Sequence, residues 1–126
     1  LLEAGLAFTV DTSKDFLGKD AFLRHKEQGP RGRLVQVLLS DEKPMLHHGE
    51  VVYRDDEAVG DVRSASFGHS LSGAVGLAMI QHPDGGKVTP SWLRGAEWHV
   101  DVAGAKVPAS VSLKPLYDPK NDRIKN

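Results

Sequence analysis

The chain has 126 residues, with 16 lysines and arginines, 17 aspartates and glutamates, and no cysteine. This length suits one domain with its own hydrophobic core, and the missing cysteines exclude disulfides, thiol catalysis and cysteine metal sites. A net charge of −1 gives no electrostatic reason to expect nucleic acid or an anionic membrane as a partner. No apolar run approaches the roughly 20 residues that span a bilayer.

The first 30 residues predict one helix that follows a short apolar segment. Residues 4–10 are apolar and fit either a short strand or a tail that pairs with polypeptide outside this chain. Within residues 16–28, apolar side chains recur at helical spacing, at positions 17, 21 and 22 and with the His25 ring at 25. Gly29 and Pro30 then end the helix. This is the only long helix that the sequence predicts.

From residue 31 onward the pattern becomes that of β-strands. Six runs of alternating or continuous apolar residues, separated by turn residues, cover positions 33–39, 50–54, 57–63, 74–80, 97–102 and 106–113. Asp55 and Asp56 predict a tight hairpin, and Pro108 predicts an edge or a bulge in the last strand. Residues 115–126 are polar, and we expect a fraying tail.

Six strands after one helix predict a mainly β fold, as a small antiparallel barrel or a closed sandwich. Of these we expect the six-stranded, Greek-key-like β-barrel preceded by one α-helix. Helices do not alternate with strands, which argues against a parallel α/β fold.

Residues 60–80 are the stretch in which we expect any contact with a ligand or a partner domain. We interpret them as a strand that leaves the core, a compact turn with polar tips, and a buried strand that returns. Arg63 lies where the first strand ends, beside Ser64, and a guanidinium group there can hold a carboxylate in a bidentate grip. The alternatives are a solvated arginine and an arginine paired with Asp61.

Other polar groupings fit known chemistry poorly. His47 and His48 are neighbours whose side chains point in opposite directions on an extended chain, so they make a poor chelating pair. Asp61, Ser64 and His69 supply the residue types of a catalytic triad, but nothing in their spacing joins them and no Gly-x-Ser-x-Gly motif is present. We therefore predict no catalytic residue and no metal site.

The two tryptophans allow two interpretations. Trp92 and Trp98 are residue types that can stack on bases or other rings, but no basic stripe accompanies them. Trp98 alternates with Val100 and Val102, and this pattern favours a core side chain.

Several stretches, in this order, resemble the C-terminal domain of the glycine-cleavage T-protein (aminomethyltransferase) superfamily. They cover residues 15–22, 33–35, 49–52, 59–65, 73–80 and 115–119. Within the superfamily, three runs are most similar to the C-terminal region of sarcosine and dimethylglycine dehydrogenases: GDVRSASFGHSLSGAVGLAMI, HPDGGKVTPSWL and KPLYDPKNDRIKN.

The resemblance implies a two-part enzyme, of which this chain is the end. A flavin part oxidises an N-methyl amine to an iminium, and a folate part captures the one-carbon unit on tetrahydrofolate as the 5,10-methylene form. The folate part has a large body with the pterin site and a key carboxylate, and a terminal barrel that closes over it. The resemblance implies that residues 1–14 are a remnant of that body, 15–117 the helix and barrel, and 118–126 a tail.

The same resemblance implies cofactors, partners and a compartment. Tetrahydrofolate and FAD serve the full-length enzyme, and we expect neither to be bound to this fragment, which is expected to be inactive alone. The implied partners are the preceding folate-binding and flavin domains of the same polypeptide, and neither nucleic acid nor a membrane. The implied location is cytoplasmic, or the mitochondrial matrix in a eukaryote.

The resemblance also implies site residues. The loop from Arg63 to His69 matches a family loop that faces the body, so Arg63 and Ser64 are expected on the folate side. Arg33 matches a basic position at the start of the first barrel strand and is expected to reach the folate glutamate tail. T-proteins more often have Thr-Ser-Gly where this chain has Arg63-Ser64-Ala65, so the loop can instead serve only to dock the barrel.

Two other functions remain open from the sequence. The first is a free-standing ligand- or nucleic-acid-binding β-barrel module, which the balanced charge disfavours. The second is a self-sufficient hydrolase that uses Ser64 and His69, which predicts activity of the isolated chain on simple esters.

Overall fold

The computed structural model describes residues 1–125 and contains one longer helix and six strands. Helix α1 spans Lys19–Gln28, and the short helices α2 and α3 span Pro90–Arg94 and Asp122–Lys125. The strands are β1 (Gly32–Leu39), β2 (Val51–Arg54), β3 (Glu57–Gly68), β4 (Gly73–Gln81), β5 (Trp98–Val102) and β6 (Ala105–Ser112). No helix in residues 1–125 is both long and apolar enough to cross a membrane.

The six strands form a closed antiparallel barrel in the order β1-β4-β3-β2-β5-β6. This confirms the predicted mainly β fold. Strands β2, β3 and β4 form a meander, and β5 returns through a long connection to lie beside β2, which is the Greek-key arrangement. Strand β1 closes the ring, because it pairs with β4 over Gly32–Leu38 and with β6 over Gln36–Leu39.

Aliphatic side chains fill the interior of the barrel. Val35 and Val37 of β1 and Ile80 of β4 are each at most 1% exposed, and they alternate with residues that face outward. Within residues 1–125, no polar or charged residue is buried as a whole. A small barrel filled in this way has no room for a ligand inside, so any binding surface must lie on the outer wall or at the rims.

Strand β3 is five residues longer than the sequence pattern predicts. We expected it to end at Arg63, but it continues to Gly68, and its added residues pair with Gly73–Leu77 of β4. The register shifts between Val62 and Ser64, so Arg63 is the extra residue of a β-bulge. The bulge shifts the alternation of inward and outward residues by one position. Regular alternation is the pattern that predicts a strand, so the part of β3 after the bulge was not predicted.

The turns differ in how well the sequence predicts them. Asp55 and Asp56 form the expected two-residue turn between β2 and β3, with Asp55 at a φ of 53°. The prediction for Pro108 is wrong, because β6 is paired on both sides and its ladder with β5 has no bulge. Pro108 is tolerated because it lies just outside the ladder between β6 and β1, which begins at Ala109. The Pro108 carbonyl accepts a hydrogen bond from Ser40 N.

The two ends of the chain also differ from the prediction. Residues 4–10 contain a 3₁₀ turn at Ala7–Thr9 instead of a strand. The segment before it covers the start of β1, since the Glu3 carbonyl accepts a hydrogen bond from Leu34 N at 2.7 Å and Leu2 is buried. The expected fraying tail holds α3, whose first amides donate to the Asp118 carboxylate.

The tight packing of β4 against Gly60 of β3 gives a test of this fold. A Cβ atom on Gly60 of β3 would overlap the Met79 carbonyl oxygen and lie 2.8 Å from Ile80 Cα of β4. Gly60→Ala must therefore displace backbone, and we expect it to lower the free energy of unfolding by about 2–3 kcal/mol in urea denaturation. The control is Gly32→Ala, whose Cβ would meet nothing nearer than 3.5 Å. Equal stability of the two variants would contradict the β3–β4 register.

Candidate functional site

An open groove of about 640 Å³ crosses the outer face of β1, β4 and β3. We call it the outer groove and define it by Gln36, Ser64, Ser66, His69, Leu77 and Tyr117. Its volume lies in the range of ligand-binding pockets. It is open to solvent along its length, so it forms one side of a binding site.

The floor of the outer groove follows from the alternation of β4. Val75 and Leu77 point outward between inward residues, and Leu77 is 37% exposed. Ser64 lies opposite Leu77 because the bulge at Arg63 shifts the register of β3 by one residue. The result is an apolar floor with hydroxyl groups along one edge, a surface suited to contacting an amphipathic group.

A side-chain hydrogen bond builds the opposite wall. The Gln36 side-chain oxygen accepts a hydrogen bond from Leu116 N at 2.8 Å and so holds the C-terminal segment against the barrel. Tyr117 follows directly, is 45% exposed and lines the groove. Neither Gln36 nor Tyr117 was predicted as a site residue, because a polar residue on the outer face of a strand and an aromatic residue near a polar tail do not indicate that the two lie together.

Two of the three predicted site residues are neighbours in the sequence and are both exposed on β3, but they line different depressions. Ser64 lines the outer groove, whereas Arg63 lines a separate depression together with Asp61 and Met79. Arg63 Nε is 3.0 Å from Asp61 Oδ2, which is the pairing that the sequence analysis held as an alternative. Both side chains are well exposed, and an exposed ion pair is worth at most about 1 kcal/mol. Arg63 can therefore exchange Asp61 for another carboxylate at little cost.

Arg33 lies apart from this pair. It occupies the first part of β1 opposite Ile80, in phase with the inward residues Val35 and Val37. Its Nε atom is buried and has no hydrogen-bond partner in the part of the chain that the structure describes. Arg33 therefore stands on the inner side of a wall whose outer side carries Arg63 and Ser64.

The triad of the hydrolase hypothesis is not assembled. Asp61 pairs with Arg63, and the His69 ring packs edge-on against Phe67 with ring centroids 5.2 Å apart. Among residues 1–125 no hydrogen bond joins Ser64 to His69 or to Asp61. A serine hydroxyl without an adjacent base is a weak nucleophile.

A local contact accounts for the position of His47. His47 N donates to Glu50 Oε1 at 2.7 Å, and the His47 ring lies 3.7 Å from the same oxygen. Over the described residues, no group of three or more His, Cys, Asp and Glu side chains is placed to hold a metal ion.

The tryptophans attach α2 to the barrel. Trp98 is buried, as its alternation predicts, and its Nε1 donates to the Leu93 carbonyl of α2 at 2.8 Å. The Trp92 ring packs edge-on against Trp98, and the Arg54 guanidinium lies 4.7 Å from the Trp92 ring centroid. Arg54 also donates to the Trp92 carbonyl through Nε and Nη2. Both rings are thus engaged within the fold and do not form a stacking platform.

Comparison with known proteins identifies the family. The model of the glycine cleavage T-protein C-terminal barrel domain matches residues 33–118. The chain belongs to this family. The resemblance noted in the sequence is thereby confirmed, and we refer to the chain below as a T-protein barrel.

Relatives of this T-protein barrel include proteins named as a dehydrogenase and as an oxidase. Mitochondrial sarcosine dehydrogenase of Mus musculus is 36% identical over 126 residues, which is 98% of this chain and 14% of that protein. The formaldehyde-forming 4-methylaminobutanoate oxidase of Paenarthrobacter nicotinovorans is 41% identical over 124 residues, which is 97% of this chain and 14% of that protein. The chain therefore spans about one seventh of the length of these relatives.

A solved structure shows the same fold within a larger protein. The glycine cleavage system aminomethyltransferase T from Bartonella henselae aligns with a TM-score of 0.68 and 26% identity. The alignment covers 88% of this chain and 30% of that one. In these longer proteins, the T-protein barrel is accompanied by other domains.

The wall of the outer groove gives a second test. Gln36→Leu removes the acceptor for Leu116 N, so we expect the Leu116 amide to exchange with solvent at least about fivefold faster, the equivalent of roughly 1 kcal/mol for one hydrogen bond. Hydrogen exchange measured by NMR checks this. Gln81→Leu is the control, because Gln81 is exposed at the end of β4. Unchanged exchange at Leu116 in Gln36→Leu would contradict the proposed wall.

Proposed function

We propose that this T-protein barrel is the C-terminal domain of a folate-dependent enzyme that transfers one-carbon units, of the sarcosine or dimethylglycine dehydrogenase or aminomethyltransferase type. Its role is to help close the tetrahydrofolate cavity of a preceding domain. The observation that carries the proposal is the outer groove with Ser64 on its edge and Arg63 beside it, on a barrel whose interior is full. An open groove becomes a cavity only when another domain covers it.

The names of the relatives support the substrate class. Sarcosine and 4-methylaminobutanoate both carry an N-methyl group on an amine, and the enzymes named after them are a dehydrogenase and an oxidase. An N-methyl amine is therefore the proposed substrate of the intact protein, with FAD in a preceding domain as the oxidant. Tetrahydrofolate would accept the one-carbon unit released by the oxidation.

Within this proposal, the barrel binds and shields but does not catalyse. In residues 1–125 Ser64 has no activating base, so the acid–base groups of the reaction belong to the preceding domains. The barrel excludes water from the one-carbon unit, which protects a reactive iminium from hydrolysis. On this proposal we expect an isolated barrel to be inactive.

Arg63 is the residue proposed to contact the ligand by charge. The glutamate tail of folate carries carboxylates, and a guanidinium group binds a carboxylate through two parallel hydrogen bonds. Asp61 competes for Arg63 in the unliganded barrel, since the two are 3.0 Å apart. Ser64 adds a hydroxyl donor on the same surface. Arg33 lies on the other side of the wall, and its contact with the glutamate tail stays a separate prediction.

Removing either charge of the Arg63–Asp61 pair tests this proposal in the intact enzyme. Arg63→Ala should raise the tetrahydrofolate concentration needed for half-maximal 5,10-methylene-tetrahydrofolate formation by about tenfold, because a hydrogen bond to a charged group is worth about 1.5 kcal/mol or more. Asp61→Asn should lower that concentration, because it removes the competing carboxylate.

The control for this pair is Arg94→Ala, which removes an exposed arginine from the last turn of α2. Folate dependence that is unchanged in both Arg63→Ala and Asp61→Asn would rule out a ligand contact at Arg63. The arginine would then serve only to dock the barrel.

A further inference from the structure

The depression that Arg63 lines is separate from the outer groove and has a volume of about 390 Å³. It lies on the outer face of β3 and β4, and we call it the β3–β4 depression. We define it by Asp61, Arg63, Met79, Gln81 and His82. His82 opens the run HPDGGKVTPSWL, to which the proposed function gives no role.

Three contacts fix the orientation of the His82 ring. Asp84 N donates a hydrogen bond to His82 Nδ1 at 3.2 Å. The ring packs against Trp92 with the ring centroids 4.9 Å apart, and a Cβ atom on Gly86 would lie 3.2 Å from His82 Cγ. A ring that is held in this way loses little conformational freedom when it binds a ligand, so it is preorganised for binding.

The hydrogen bond from Asp84 N also decides which ring nitrogen of His82 carries the proton. Nδ1 is the acceptor, so in the neutral ring the proton resides on Nε2. Nε2 has no hydrogen-bond partner within residues 1–125. His82 therefore brings to the β3–β4 depression an N–H donor whose position and tautomer are both set by the fold.

Two further side chains supply donors to the same depression. Arg63 contacts Asp61 through Nε, and no hydrogen bond among the described residues engages its terminal nitrogens. The Gln81 side chain is exposed, and its amide also lacks a hydrogen-bond partner in that part of the chain. A guanidinium group, an imidazole N–H and an amide together suit a carboxylate, because all three donate and the guanidinium group adds the opposite charge.

We propose that the β3–β4 depression binds a carboxylate and that His82 is a specificity-determining residue of this site. The inference rests on the proposed function, in which Arg63 contacts the glutamate tail of folate. His82 Nε2 donates to one carboxylate oxygen, and the Arg63 guanidinium binds the group by charge. The imidazole N–H has a fixed direction, so it selects a carboxylate that is placed correctly, whereas a charge alone attracts any anion.

A carboxylate in the β3–β4 depression can come from two sources. One is the glutamate tail of folate, and the other is an acidic side chain of a preceding domain. We expect the glutamate tail, because Arg63 and Ser64 are consecutive residues and place the depression next to the outer groove, so that one elongated ligand can reach both. Tetrahydropteroate separates the two sources, since it lacks the glutamate tail and keeps the rest of the molecule.

Two substitutions of His82 in the intact enzyme test the inference. His82→Asn keeps an acceptor for Asp84 N, because an asparagine side chain bonds to the backbone two residues on, but it removes the Nε2 donor. His82→Gln places an amide N–H close to the position of Nε2. Both variants lose the contact between the ring and Trp92, which makes them a matched pair.

The two variants should differ in their use of folate. We expect His82→Asn to raise the KM for tetrahydrofolate in 5,10-methylene-tetrahydrofolate formation about fivefold at unchanged kcat, because it removes one hydrogen bond made in binding. His82→Gln should keep a KM close to that of the wild type. With tetrahydropteroate, both variants should match the wild type. In the isolated 126-residue chain, NMR of the ring nitrogens of His82 should show the proton of the neutral ring on Nε2.

Three results would overturn the inference. A proton on Nδ1 of the neutral ring would remove the donor on which it depends. Equal KM values for His82→Asn and His82→Gln would leave no role for the Nε2 donor. A rise in KM for tetrahydropteroate as large as that for tetrahydrofolate would assign the depression to an acidic side chain of a preceding domain. The proposed function is tested separately, because Arg63→Ala can change the folate dependence when the two His82 variants do not differ, and the reverse is equally possible.

Discussion

The feature on which the rest of this molecule depends is the double pairing of β1. Because β1 pairs with β4 on one side and with β6 on the other, six strands close into a ring around Val35, Val37 and Ile80. The closed ring is filled with aliphatic side chains, which makes it a stable platform without an internal site. Every group that can recognise a ligand is thereby displaced to the outer wall and the rims, and those surfaces are open.

Much of this fold follows from residue patterns alone. The helix, the six strands and the Asp55-Asp56 hairpin each have a local signal, and the order of six short motifs predicts the family. The part of β3 after Arg63 was not predicted, because the bulge at Arg63 breaks the alternation that would have indicated a strand. The 3₁₀ turn at Ala7–Thr9 was not predicted, because a short apolar run fits a strand equally well.

The candidate site was less predictable, because it is assembled from distant parts of the chain. Arg63 was predicted from its place at the end of a strand, beside Ser64, and the family loop supported both residues. The groove wall, however, depends on a hydrogen bond between Gln36 and Leu116, 80 residues apart. Such a contact leaves no spacing pattern in one sequence. The Arg63–Asp61 pair shows the complementary case: the pairing of two nearby residues on one strand was one of the alternatives that the sequence left open, and the structure pairs them.

In this account, the barrel supplies part of a site that other domains complete, and calorimetric titration with tetrahydrofolate tests that idea most directly. The account predicts a measurable binding isotherm for the intact protein and at most weak binding for the isolated 126-residue chain, because the outer groove is open in the absence of the preceding domain. Tight binding of tetrahydrofolate by the isolated chain, comparable to that of the intact protein, would contradict it.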